Sequence, residues 1–276
     1  MSNIQAIILG VVQGLTEFLP VSSSGHLQVV PWLFGWDLFE GDESLGTAFD
    51  VAVHLGTLIG VVAYFWRDII RYATAGLTMV ARREATRDGQ TAWLLLATMI
   101  PASIVGVLGG DVLDALAEHI WLTGLTLIGF GLLLLLADRL GGTRTEDTFG
   151  WRDAAILGIA QACALQPGVS RSGVTVTAAR ALKFDRSDAA RLVFLMSIPV
   201  IAGAGAYSFI DIGGMSGVPA DFRMAFALGM LSSAATGWVA VWGLLQYVRK
   251  NDFTPFVIYR VALGMFVLTL VATGVR

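Results

Sequence analysis

The chain has 276 residues, 55% of them hydrophobic and only 14% charged, with a formal net charge of −3. Soluble domains carry about 25% charged residues, so this composition excludes an ordinary soluble globule, and the acidic balance excludes nucleic acid as a partner. Several apolar runs reach about 18 residues, the length that crosses a hydrocarbon core of roughly 30 Å, and the expectation is an all-α polytopic integral membrane protein seated in a lipid bilayer as one domain, 1–276.

The N-terminus has neither a basic region nor a small-residue cleavage site, so no removable signal peptide is read there. Region Ile4–Leu38 is apolar but interrupted by Pro and Ser. Spans are expected at about Thr47–Trp66, Trp93–Gly110 and Leu122–Ala137. A second interrupted region follows at Trp151–Lys183, then spans at about Ala189–Ile210, Met224–Val248 and Thr254–Thr273. Broken backbone at membrane depth is tolerated only where protein or a water-filled cavity satisfies it, so each interrupted region reads as a re-entrant pair of half-helices. The single Cys163 excludes an intrachain disulfide. Trp32, Trp36, Trp66, Trp93, Trp121 and Trp151 sit near span ends as an aromatic belt, and the GxxxG matches Gly10–Gly14 and Gly56–Gly60 read as close helix packing.

The interrupted regions are copies. ILGVVQGLTEFLPVSSSG (Ile8–Gly25) and ILGIAQACALQPGVSRSG (Ile156–Gly173) align without a gap and share eight of eighteen residues. Basic residues then fix an orientation. Residues 1–66 hold no Lys or Arg. Arg67, Arg71, Arg82, Arg83 and Arg87 follow the first span, and Arg139, Arg144 and Arg152 the third. Arg180, Lys183, Arg186 and Arg191 follow the second copy, and Arg249 and Lys250 the fifth span, whereas Asp111–His119 is acidic and Arg223 stands alone. With these clusters in the cytoplasm, the bias alternates only if both broken segments are re-entrant, the first from outside and the second from inside. Three spans per half then make inverted repeats of about 1–140 and 150–276, an architecture common among transporters.

The first copy places Gln13, Glu17, Ser22, Ser23, Ser24 and His26 in an apolar segment. Gln13 and Glu17 share a helical face, and their oxygens suit a hard divalent cation. Glu17 also reads as a hydrogen-bonded structural carboxyl. His26, three residues past Ser23, reads as catalytic, with a structural histidine as its other reading. In the second copy Arg171 replaces Ser23 and suits bidentate phosphate binding, with a structural counter-ion to Glu17 as its other reading. Ser170, Ser172 and Thr175 lead into a helix start that favours an anion. Asp50 and His54 read either as facing the same cavity or as a hydrated interface pair, and Tyr259 and Arg260 as snorkelling or paired with a nearby acid. A carboxylate, hydroxyls, an imidazole and a guanidinium suit phosphoryl chemistry on an anionic head group whose tail stays in lipid.

The motifs QGLTEFLPVSSSGH (Gln13–His26) and PGVSRSGVT (Pro167–Thr175) resemble the two signatures of the undecaprenyl-diphosphate phosphatase family, the bacitracin-resistance proteins. The resemblance covers essentially the whole chain. It implies removal of the terminal phosphate from a C55 polyprenyl diphosphate to regenerate the monophosphate carrier lipid, with Mg²⁺ or Ca²⁺, in the plasma membrane, at a site open to the outer face. Carried over by position, Glu17 and Gln13 are metal-side residues. Ser23, His26 and Glu17 are catalytic candidates, and Ser22, Ser170, Arg171, Ser172 and Thr175 hold the diphosphate. Position 13 is often Glu in the family, so Gln13 leaves Glu17 as the only carboxylate of its motif. The acid-phosphatase type of membrane phosphatase needs His where this chain has Thr177. Two nucleophile schemes stand: Ser23 activated by His26, or His26 itself attacking or activating water. A homodimer is expected. The competing reading is an inverted-repeat transporter or polyprenyl-phosphate flippase using the same site.

Overall fold

The computed structural model describes residues 1–39, 42–211 and 218–274. Among these residues no strand forms beyond an isolated bridge between Arg144 and Phe184. The helices are α1 (Asn3–Phe18), α2 (Ser23–Phe34), α3 (Glu43–Arg82), α4 (Arg87–Ala97), α5 (Met99–Ala117), α6 (Ile120–Arg139), α7 (Trp151–Cys163), α8 (Arg171–Ala181), α9 (Arg186–Asp211), α10 (Arg223–Val248) and α11 (Thr254–Thr273). Among the described residues six stretches are long and apolar enough to span: Ser44–Arg82, Arg87–Gly110, Ile120–Arg139, Arg186–Ser208, Ala220–Val248 and Thr254–Thr273. Each contains or overlaps one expected span. In the acidic connection 111–119, the side chains of Asp111 and Asp114 lie outside the described residues.

Two elements differ from the sequence reading. The first span does not stop at Trp66; it bends at Phe65 (φ −97°, ψ 17°) and runs on to Arg82. Its polar continuation is held by charges on neighbouring segments, Asp68 to Arg191 at 2.6 Å and Arg71 to Asp88 at 3.6 Å. The second span is broken at Thr98, where α4 gives way to α5. Pro101 lacks the N–H that would bond the Ala97 carbonyl across this point, and the Thr98 carbonyl accepts instead from Gln161 Nε2 of α7 at 3.1 Å.

Both GxxxG pairs dock on α10. A Cβ at Gly14 would stand 2.6 Å from the Ser233 carbonyl oxygen, and one at Gly56 2.4 Å from that of Met230. Helices α1 and α3 therefore touch α10 backbone to backbone, the close packing small residues permit in a membrane. Helices α6 and α11 meet the same way at Gly124 and Gly264. The two halves of the chain interlock, since α1 and α3 pack on α10 and α6 packs on α8 and α11.

The basic clusters gather with acids into networks at one end. Asp138 of α6 is buried; it accepts from Arg180 Nε at 2.9 Å and from Arg186 Nε at 2.8 Å. Arg191 bridges Asp68 and Glu146. Arg144 grips Asp153 at 2.7 Å, and that hydrogen bond raises the guanidinium pKa above its ordinary value. Trp66, Trp93, Trp121 and Trp151 are exposed, as an aromatic belt requires.

Candidate active site

The duplicated motifs fold into duplicated breaks. Helix α1 ends at Phe18, and Ser22 (φ 75°) caps α2 by accepting from Gly25 N at 3.3 Å. Helix α7 ends at Cys163, and Ser170 (φ 69°) caps α8 by accepting from Gly173 N at 3.1 Å. A positive φ at a residue with a side chain is uncommon. Here the same strained serine recurs at equivalent positions, and each time its hydroxyl satisfies a helix-start amide. Each cap places the next residue at the first position of a half-helix: Ser23 in one copy, Arg171 in the other.

These two residues converge on Glu17. Glu17 is buried, with its side chain 3% exposed. Oε2 accepts from Ser23 Oγ at 2.5 Å and from Gln13 Nε2 at 2.9 Å, and His54 Nε2 lies 3.5 Å away. Oε1 accepts from Arg171 Nη2. The His54 ring is anchored to its own helix, with Nδ1 2.7 Å from the Asp50 carbonyl oxygen. Glu17, Ser23, Ser24, Asp50, His54, Gln161, Ser170 and Arg171 line one cavity of about 340 Å³. The rest of its lining is largely apolar, with Val51, Ala102, Leu165, Val200, Ile201 and Ala204. Polar and apolar side chains sharing one cavity suit an anionic head group joined to a hydrocarbon tail.

The remaining expected residues stand outside this wall. His26 is buried; Nδ1 lies 2.6 Å from the Ser22 carbonyl oxygen and Nε2 2.6 Å from the Tyr259 hydroxyl. Its ring stacks on Tyr259 with centroids 5.6 Å apart. Ser172 Oγ donates to the Leu19 carbonyl at 2.9 Å, and Thr175 Oγ1 to the Arg171 carbonyl at 2.6 Å. Ser22 is consumed as a cap. Gln13 stands behind Glu17, with its Oε1 buried and unpartnered. Of the two readings of Asp50 and His54, the structure gives the cavity-facing one. Arg260 neither snorkels nor meets an acid among the described residues; it is fully buried against backbone carbonyls. An ionisable residue inside an apolar span was the signal for it.

An implied divalent cation fits the donor chemistry here. Among the described residues no cluster of three or more His, Cys, Asp and Glu side chains forms a cage. Glu17 and Asp50 supply carboxylate oxygens along one cavity, and Gln13 Oε1 is an acceptor without a donor. One or two carboxylates completed by substrate phosphate oxygens is the way Mg²⁺ is commonly held.

Comparison with known proteins identifies the family. The family described as Bacitracin resistance protein BacA matches residues 6–266. A protein of Desulforudis audaxviator named undecaprenyl-diphosphatase is 44% identical over 273 residues, covering 98% of each chain. Proteins of the same name from Geobacter metallireducens and Thermomicrobium roseum are 44% and 42% identical, each over 278 residues and at least 97% of both chains. A match of this extent leaves no segment of either signature uncovered, and the chain belongs to the bacitracin resistance protein BacA family.

Proposed function

We infer that this chain is a multi-pass membrane phosphatase that hydrolyses undecaprenyl diphosphate to the monophosphate carrier lipid and inorganic phosphate, the activity that underlies bacitracin resistance. One observation carries the reading: in a chain related over its full length to undecaprenyl-diphosphatases, the two signature motifs meet at Glu17, Ser23 and Arg171 on one cavity. Transport is the less favoured reading, because the relatives are named for a hydrolytic activity.

The reading assigns roles as follows. Ser23 Oγ attacks the distal phosphorus while Glu17 Oε2, already its hydrogen-bond acceptor, takes the hydroxyl proton. The new Oγ–P bond replaces the bond from phosphorus to the bridging oxygen, and polyprenyl monophosphate leaves with that oxygen. Polyprenyl monophosphate carries off the proton that Glu17 took; water then attacks the phosphoserine phosphorus and gives a proton to the freed Glu17 carboxylate, which passes it to the departing Ser23 Oγ as phosphate is released. Arg171 shifts from Glu17 to the phosphoryl oxygens and stabilises charge there. Mg²⁺ or Ca²⁺, held by Glu17, Asp50 and Gln13, would supply further neutralisation of the diphosphate. His26 supports this from behind the first break, since its ring nitrogens are engaged by Ser22 and Tyr259. Ser170 borders the phosphate at the cavity wall, and Ser22, Ser172 and Thr175 hold the shape of the breaks.

The same reading takes residues 1–276 as one domain of inverted repeats, 1–140 and 150–276, in the plasma membrane. Each broken pair is re-entrant, and the cavity opens outward. Identical caps at Ser22 and Ser170 and the separate basic end support it. Side-selective labelling of cysteines placed at His119 and Arg144 tests the orientation, with His119 expected outside. Two copies pairing in the bilayer complete the reading, which light scattering in detergent tests.

The deciding experiment is phosphate release from undecaprenyl diphosphate by purified protein, with and without chelator. Release by wild type that chelator suppresses and Arg171→Ala abolishes is expected. Bound but intact substrate would overturn hydrolysis in favour of transport.

A further inference from the structure

Arg260 of α11 is fully buried and pairs with no carboxylate among the described residues. Its guanidinium is spread over backbone carbonyls instead. Nε donates to Leu127 at 3.2 Å, Nη1 to Pro20 at 3.4 Å, and Nη2 to Gly168 at 3.0 Å and Val169 at 2.9 Å. Pro20 lies in the first break; Gly168 and Val169 lie in the second. A break inside an apolar segment frees carbonyls that no helical N–H reaches, and lipid offers them no donor. One planar group with five donors satisfies both breaks together, which a single ammonium on a flexible stem does not reproduce.

The fold keeps room for this contact. A Cβ at Gly173 would stand 2.5 Å from Arg260 Nη1, and one at Gly131 3.4 Å from the Arg260 Cβ. The neighbouring Tyr259 holds the first break from a second direction, through the hydroxyl 2.6 Å from His26 Nε2. His26 in turn contacts the Ser22 carbonyl, the strained cap itself.

We propose that the Tyr259–Arg260 pair is the positioning element of the site, with Arg260 as a shared clamp that sets the two breaks against each other. Glu17 lies just before Pro20 in the chain and Arg171 just after Val169, so the clamp fixes the separation at which these two side chains meet. Neither residue of the pair is among those that line the cavity. The effect on turnover rests on the phosphatase reading; the clamp itself does not.

The test joins two measurements on purified full-length protein. Hydrogen–deuterium exchange is read over residues 19–25 and 167–173, and kcat and KM are read from phosphate release. In Arg260→Lys, exchange rises in both stretches together and kcat falls about tenfold to hundredfold while KM stays within about threefold, the pattern of lost alignment. Gly173→Ala, whose methyl meets Arg260 Nη1 first and the Ser170 side chain at 3.1 Å, produces the same pair of changes alone and adds little to Arg260→Lys. Where Arg260→Lys does not fold, Gly173→Ala carries the test. Exchange that rises in neither break or in only one overturns the clamp. So does a folded Arg260→Lys protein with unchanged kcat. Should wild type release no phosphate, the phosphatase reading fails and the exchange data still decide the clamp.

Discussion

Glu17→Gln separates charge from shape at the centre of the site. Four groups address this carboxylate: Gln13, Ser23, His54 and Arg171. Glutamine keeps the volume and removes the charge, so Arg171 loses its anion and Ser23 loses its proton acceptor. Removing one partner of a buried ion pair costs about 3–5 kcal/mol. The Arg171 side chain is 20% exposed to the cavity, so solvent screening places the cost at the lower end, about 3 kcal/mol. The chemical loss is larger in its effect, since a positioned general base contributes about 10²–10⁴-fold. Purified variant and wild type are compared by phosphate release for kcat and KM and by chemical denaturation for stability. The expected result is a fall in kcat of about 10²–10⁴-fold without a rise in KM, because an Arg171 freed from Glu17 binds the diphosphate no less well. A kcat within about threefold of wild type, or a raised KM with kcat intact, refutes the assignment of Glu17 as the base.

Other perturbations follow from packing and charge. Gly56→Val pushes a side chain into the Met230 carbonyl and is expected to lower stability by about 1–3 kcal/mol, read by thermal unfolding in detergent. Asp138→Asn strands Arg180 and Arg186 at the buried charged end and is expected to cost about 3–5 kcal/mol by the same assay, with KM unchanged in the folded fraction. Tyr259→Phe removes the hydroxyl at His26; it and His26→Gln are each expected to lower kcat, and the double variant to lose little more than either alone. Additive losses in that cycle would separate the two residues' roles.

Much of this architecture is legible in the sequence, because apolar length and charge placement act locally. The six spans fall where 18-residue apolar runs lie, and the GxxxG pairs read as close packing do pack closely, on α10. Motif duplication gives Glu17, Ser23 and Arg171 as neighbours in function, and the fold brings them together. The extension of α3 to Arg82 is not legible, because Asp68 and Arg71 find their partners on α9 and α4. The role of His26 is also hidden: spacing places it near Ser23, yet helix α2 turns its ring toward α11 and Tyr259. Arg260 reads from the sequence as snorkelling or paired with a nearby acid, since its actual partners are main-chain carbonyls of distant segments that no side-chain pattern announces. Asp50 and His54 stay ambiguous until α3 is packed against the first break.

The most direct test of the central claim is a single turnover on undecaprenyl diphosphate labelled in its distal phosphate, quenched in acid and mapped by peptide. The account predicts transient label on Ser23, absent in Ser23→Ala and diminished in Glu17→Gln. Phosphate released at full rate with no labelled enzyme, or label carried by any residue other than Ser23, would contradict it.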